Sequence, residues 1–94
     1  MDPQKTKYKY VHFVKVGDSG KTQVWDCYNS ANQYTLGRIS YLNTWRQYIF
    51  SPNSYAYFSV GCMEDICNFI SQLEDIRKTR REEEKCQKTA DLLS

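Results

Sequence analysis

Leu36-Gly37-Arg38-Ile39-Ser40-Tyr41-Leu42-Asn43-Thr44-Trp45-Arg46-Gln47-Tyr48-Ile49-Phe50-Ser51-Pro52 is the stretch whose reading decides the fold. Nearly every second residue is aromatic or branched, and only Arg38 and Arg46 are charged. That alternation is the signature of β-strands with one buried face. Residues 34–42 form one expected strand and residues 45–50 the next, with Asn43 and Thr44 turning the chain. Gly37, inside a strand, marks a bulge or a close approach by a neighbouring chain segment.

Working outward, residues 8–16 and 23–28 read as two earlier strands. They are joined by Gly17-Asp18-Ser19-Gly20, whose glycines supply the positive φ that a hairpin needs. Gly20-Lys21-Thr22 is no phosphate loop: two residues separate the glycines where four are needed, and a strand follows, not a helix. Residues 55–60 are a candidate fifth, edge strand after the turn cluster 51–54. From Gly61, read as the cap, the period changes to that of a helix. Met63, Ile66, Cys67, Ile70 and Leu73 fall within an arc of about 120°, flanked by Phe69 and Ile76. Glu64 and Asp65 suit the positive end of the helix dipole.

The expected fold is therefore α+β: an antiparallel meander of four or five strands with one long C-terminal helix on one face. Ninety-four residues make a single domain, with residues 1–6 frayed, 7–60 sheet and 61–90 helix. A helix from 62 to about 88 would span roughly 40 Å, against about 20 Å for a six-residue strand. Its distal turns are expected to overhang. Opposite charges at i, i+4, such as Glu74 with Lys78, support the helix there. Arg77, Arg81, Lys85 and Lys88 continue the apolar stripe, so the buried face is expected to turn basic where it leaves the sheet. Such a stripe suits phosphate or an acidic protein, although cations near a helix C-terminus also suit the dipole alone.

Charge is uneven. Residues 1–60 hold seven basic and three acidic side chains, a net +4, whereas residues 61–94 hold six and eight, a net −2. The N-terminal residues read as polar and lysine-rich without a signal-peptide pattern, and no stretch reaches the length of a membrane span. The expectation is a soluble protein of the cytoplasm.

Chemistry is sparse. Four cysteines stand at 27, 62, 67 and 86 and the one histidine is His12, with none of the short ligand spacings of a zinc site. Cys67 is expected to be a small buried hydrophobe. No nucleophile has an evident base and no carboxylates pair in the sheet, so neither catalysis, metal nor cofactor is expected. Binding remains. Residues 22–60 carry ten of the fourteen aromatics and three charged side chains. One helix covers only one face, so the other face is buried by the first hairpin or by a dimer, or is displayed. If displayed, Trp45 with Arg38 and Arg46 would anchor a protein or stack bases.

The strings Leu36-Gly37-Arg38-Ile39, Trp45-Arg46-Gln47-Tyr48-Ile49-Phe50-Ser51-Pro52 and Gly61-Cys62-Met63-Glu64-Asp65-Ile66-Cys67-Asn68-Phe69-Ile70 together resemble a family of small proteins encoded by tailed phages and prophages. That family tends to show W-x-V, then L-G-x-I-x-W, then W-R-Q-Y-x-F-x-P, then a helix reading C-L-x-D-I-x-x-F. Here Trp25 departs from the W-x-V phase, and Tyr41 stands in place of a tryptophan. The resemblance covers residues 22–73 and carries no catalytic residues. It implies a sheet-plus-helix domain of mobile-element origin.

The first functional expectation is thus a non-catalytic accessory protein that binds and inhibits a host protein or ribonucleoprotein, such as a defence complex, in the manner of an anti-CRISPR protein. Arg77, Arg81, Lys85, Lys88, Arg38, Trp45 and Arg46 would carry it. The second is nucleic-acid binding, with Lys5, Lys7 and Lys9 interleaved with Tyr8 and Tyr10. The third is a homodimeric structural phage protein.

Overall fold

Val11, Phe13, Trp25, Cys27, Ile39 and Tyr48 occupy alternating strand positions, and all are buried. Alternation sends them to one side of a pleated sheet. The computed structural model describes the backbone of residues 2–93 and the side chains of residues 2–79. It contains β1 (Val11–Asp18), β2 (Gln23–Asn29), β3 (Thr35–Leu42), β4 (Gln47–Pro52) and α1 (Val60–Leu93). The strands form one antiparallel sheet in the order β1-β2-β3-β4, an α+β meander with the helix packed on one face.

Each reversal has a local cause. Between β1 and β2, Gly20 takes φ 87° and donates its N–H to Asp18 Oδ1 at 2.8 Å. Between β3 and β4, Arg46 takes φ 55° and donates its N–H to Leu42 O at 2.8 Å. That bond closes a turn over residues 43–46, so Trp45 and Arg46 sit in the turn and β4 begins at Gln47, two residues later than expected. Register slips between Cys27 and Tyr28 opposite Leu36, which places a bulge beside Gly37. Gly37 is also a close approach: a Cβ there would lie 2.5 Å from Ser51 O and 2.6 Å from the Phe50 ring.

There is no fifth strand among the described residues. Asn53 N–H donates to Leu36 O and its side chain donates to Thr35 O at 2.7 Å, which pins the chain against the start of β3. Residues 53–59 then carry the chain to the helix start. The outer edge of β4 is short and blunted. Tyr48 N–H turns away from β3 to the Glu74 carboxylate. Pro52, in the same phase, has no N–H to offer. Glu74, expected to pair with Lys78, serves this edge instead.

The helix is capped by Ser59, not by Gly61: Cys62 N–H donates to Ser59 Oγ at 3.2 Å. Gly61 has another role. A Cβ there would meet the Tyr10 ring at 2.4 Å, so the glycine admits that ring against the first helical turn. Because the helix starts at Val60, Glu64 and Asp65 fall beyond its first turn, and Asp65 Oδ2 accepts Tyr10 N–H. The buried stripe is Cys62, Ile66, Phe69 and Leu73, with Ile70 packed beside it. Met63 and Cys67 are exposed. The helix is thus rotated by roughly 70° from the expected phase, at about 100° per residue. Phe69 sets the phase: its ring stacks on Phe13 at 3.9 Å and meets Trp25 edge-on at 5.0 Å.

Residues 2–6, expected to fray, pack against the fold, and residues 8–10 are not part of β1. Pro3 is buried and Asp2 pairs with Lys15 Nζ at 2.6 Å. Lys5 exchanges two bonds with the Gln72 side-chain amide, N–H to Oε1 at 3.1 Å and Nε2–H to its carbonyl at 2.9 Å. Tyr8 Oη donates to Asn68 Oδ1 at 2.7 Å. Contacts from 5, 8 and 10 to 72, 68 and 65 make this segment a strap running antiparallel to the helix. It also covers the outer edge of β1, where Phe13 N–H donates to Thr6 O at 2.9 Å.

The second sheet face carries His12, Val14, Val24, Asp26, Tyr28, Arg38, Ser40 and Ile49, by alternation from the buried set. The first hairpin does not fold across it. The sheet's other aromatics mostly face the helix, so the expected aromatic display reduces here to Tyr28, stacked on His12 at 5.4 Å. Replacing Gly37 by Ala is expected to cost about 1–3 kcal/mol, because the obstructing atom is a backbone carbonyl. Phe69→Ala is expected to cost about 3–5 kcal/mol. Urea denaturation followed by circular dichroism measures both.

Candidate functional site

Exposed side chains gather at two ends of the domain. At one, the β3–β4 turn presents Trp45, 65% exposed at a position where no strand neighbour can cover it. Arg46 follows in the same turn, held by its left-handed backbone. From the helix, Arg77 lays its guanidinium over Tyr41, Cζ 4.2 Å from the ring centroid. Tyr41 and Tyr48 face each other across β3 and β4, their rings 5.4 Å apart. The stack and the Glu74 bond to Tyr48 N–H bring Arg77 to the same end as the turn. Trp45, Arg46 and Arg77 are thus gathered by three features: a turn, an aromatic pair and the helix.

A polar network closes the core beneath them. Tyr48 Oη accepts Gln23 N–H at 3.1 Å, and Gln23 Oε1 accepts the Trp25 indole N–H at 2.9 Å. Gln23 Nε2 donates to Asp2 Oδ1, which also accepts from Lys15 Nζ. Burial pushes the Tyr48 phenol above its ordinary range, opposed by its bond from Gln23 N–H. The Asp2 and Asp18 carboxylates raise Lys15.

Other expected site residues lie elsewhere. Arg38 is on the open sheet face, where Nε donates to Asp26 Oδ1 at 2.7 Å, so it is not gathered with Trp45 and Arg46. The Asp26 carboxylate raises its guanidinium still further. The side chains of Arg81, Lys85 and Lys88 lie outside the described residues. Of the four residues of the expected basic stripe, Arg77 alone has a described side chain.

Lys5, Lys7, Lys9, Tyr8 and Tyr10 belong to the strap. Tyr8 meets Phe13 edge-on at 5.7 Å, its hydroxyl bonds Asn68 and Gln72, and Lys5 Nζ sits 4.6 Å from its ring centroid. Burial raises its phenol pKa. Tyr10 packs on Gly61, with Lys9 Nζ 5.3 Å from its ring centroid. Both rings are engaged within the fold.

The second end was not legible as a site in the sequence. There the β2–β3 loop and the β4–α1 connection enclose an open groove of about 520 Å³. Tyr34, Tyr55 and Tyr57 line it, 71%, 92% and 90% exposed. Only the closeness of the two loops, fixed by the Asn53 bonds to β3, makes these tyrosines neighbours.

Cys27 and Cys62 are buried and Cys67 is exposed, against expectation. Among the described residues no group of three His, Cys, Asp or Glu side chains is placed to hold a metal ion. No helix in that set is long and apolar enough to cross a membrane. No family model, curated protein or solved structure matches the chain.

Burial, then the nearby Cys62 and Asp65, push the Cys27 thiol up to about 12. An acid whose pKa is raised by folding stabilises the fold fully below its unfolded pKa. That contribution is lost as pH rises towards the folded value. Tyr8 and Tyr48 act in the same direction. Urea midpoints are therefore expected to be flat from about pH 6 to 8 and to fall progressively above pH 9, the ordinary thiol value. A midpoint unchanged at pH 10.5 (about one and a half units above that thiol value) would contradict this.

Proposed function

We propose that the chain is a non-catalytic binding protein that docks a macromolecular partner through the end bearing Trp45, Arg46 and Arg77. The observation that carries this reading is the exposure of Trp45 on a turn with a fixed backbone, beside two arginines. Tryptophan and arginine dominate the energetics of protein interfaces. A fixed turn lowers the ordering cost of binding. The guanidinium stack on Tyr41 holds Arg77 in place before a partner arrives, which favours an acidic partner surface.

The resemblance to small phage and prophage proteins supplies the setting. A chain of this size suits an accessory protein that blocks a host protein or ribonucleoprotein, including a defence complex of the CRISPR type. Nucleic-acid binding through the N-terminal segment has less support, since Tyr8 uses both its ring and its hydroxyl within the fold.

The test is phage challenge. Expression in bacteria whose CRISPR system targets a phage is expected to restore plaquing. Trp45→Ala with Arg77→Ala is expected to lose at least about tenfold of that rescue, while thermal unfolding moves little. Full rescue by the folded double variant would remove this end from the interface. No rescue by the parent chain in any such strain would contradict the inhibitor reading.

A further inference from the structure

We propose that the tyrosine-lined groove at the opposite end is a second binding site, and that its ligand is a proline-rich peptide segment in the polyproline II conformation. Three exposed tyrosines converge there from two loops. Single exposed apolar side chains need no explanation, but a cluster on a concave surface does. A groove of about 520 Å³ lies within the ordinary size range of ligand sites.

The chemistry of the lining selects the ligand. None of the lining residues is charged, so nothing there neutralises phosphate, and single-stranded nucleic acid is disfavoured. The amides left over are mainly donors. Asn29 Oδ1 accepts Ala31 N–H and Asn32 Oδ1 accepts Tyr34 N–H, both within the loop. Each asparagine therefore keeps its NH2 group for a ligand, and the three phenols can each donate a hydroxyl hydrogen as well as accept one. Asn53 is the exception: its NH2 serves Thr35 O and its Oδ1 remains as an acceptor.

A proline-rich segment matches this inventory. Its backbone carbonyls are all free, its prolines have no N–H, and its rings pack against flat aromatic faces. It is already extended, so binding orders little. Asn53 Oδ1 would meet the N–H of an interspersed non-proline residue.

Titration of the full chain with decaproline, read on the tyrosine ring resonances by NMR, tests this. Saturable shifts of Tyr34, Tyr55 and Tyr57 are expected, with Kd below about 1 mM. Tyr55→Ala and Tyr57→Ala are each expected to weaken binding at least about fivefold, and Trp45→Ala to leave it unchanged. These side chains are exposed, so the variants retain the fold. Cellohexaose and a ten-residue oligothymidylate are run in parallel. No saturable shift with decaproline, or shifts with either of the other probes in its place, would overturn the proposal.

Discussion

The packing of Phe69 between Phe13 and Trp25 is the contact on which the rest of the architecture depends. It joins the helix to the two strands that start the sheet, at 3.9 Å and 5.0 Å. A ring this large, fully buried, fixes the rotation of the whole helix. Once Phe69 faces inward, Cys62, Ile66 and Leu73 follow at helical spacing, and Asp65, Asn68, Gln72 and Glu74 are distributed to either side. Those polar residues then serve the two flanks. Asp65, Asn68 and Gln72 hold the N-terminal strap, and Glu74 satisfies the edge of β4. Apolar burial supplies the driving force, and the polar flanks specify where the helix lies.

The strap answers a problem of coverage. One helix about 10 Å across cannot span a four-stranded sheet some 14–19 Å wide. The strap fills the gap beside β1 with Pro3 and Tyr8, and Tyr41, Phe50 and Phe58 fill it towards β4. As a result the aromatics of the sheet serve mostly as core. The most exposed aromatics lie at the two ends, Trp45 in one turn and Tyr34, Tyr55 and Tyr57 in two loops. Binding surfaces on loops held by a rigid layer are a common division of labour.

The order of elements was legible because alternation over residues 23–50 and helical periodicity from 62 are strong signals. Gly37 announced its close approach for the same reason. What could not be read was anything depending on long-range partners. The strap is polar and lacks periodicity, and its order comes from Gln72 and Asn68, sixty or more positions away. Met63 and Cys67 count as apolar and pull the periodicity towards their side of the helix, while the ring of Phe69 decides the packing. The type of Trp45 favours a strand, whereas the left-handed Arg46 behind it makes a turn. The gathering of Trp45, Arg46 and Arg77 follows from the Tyr41 stack, which sequence spacing does not encode. The groove tyrosines are set by two loops brought together across the sheet.

Cys62 and Cys67 lie about 140° apart on the helix. Their thiols therefore report its rotation directly. Alkylation of the native protein, quantified cysteine by cysteine by mass spectrometry, is the decisive measurement. The account predicts rapid modification of Cys67 and protection of Cys62 and Cys27 until the protein unfolds. Protection of Cys67 together with rapid modification of Cys62 would contradict it, because the helix would then present the other face to the sheet.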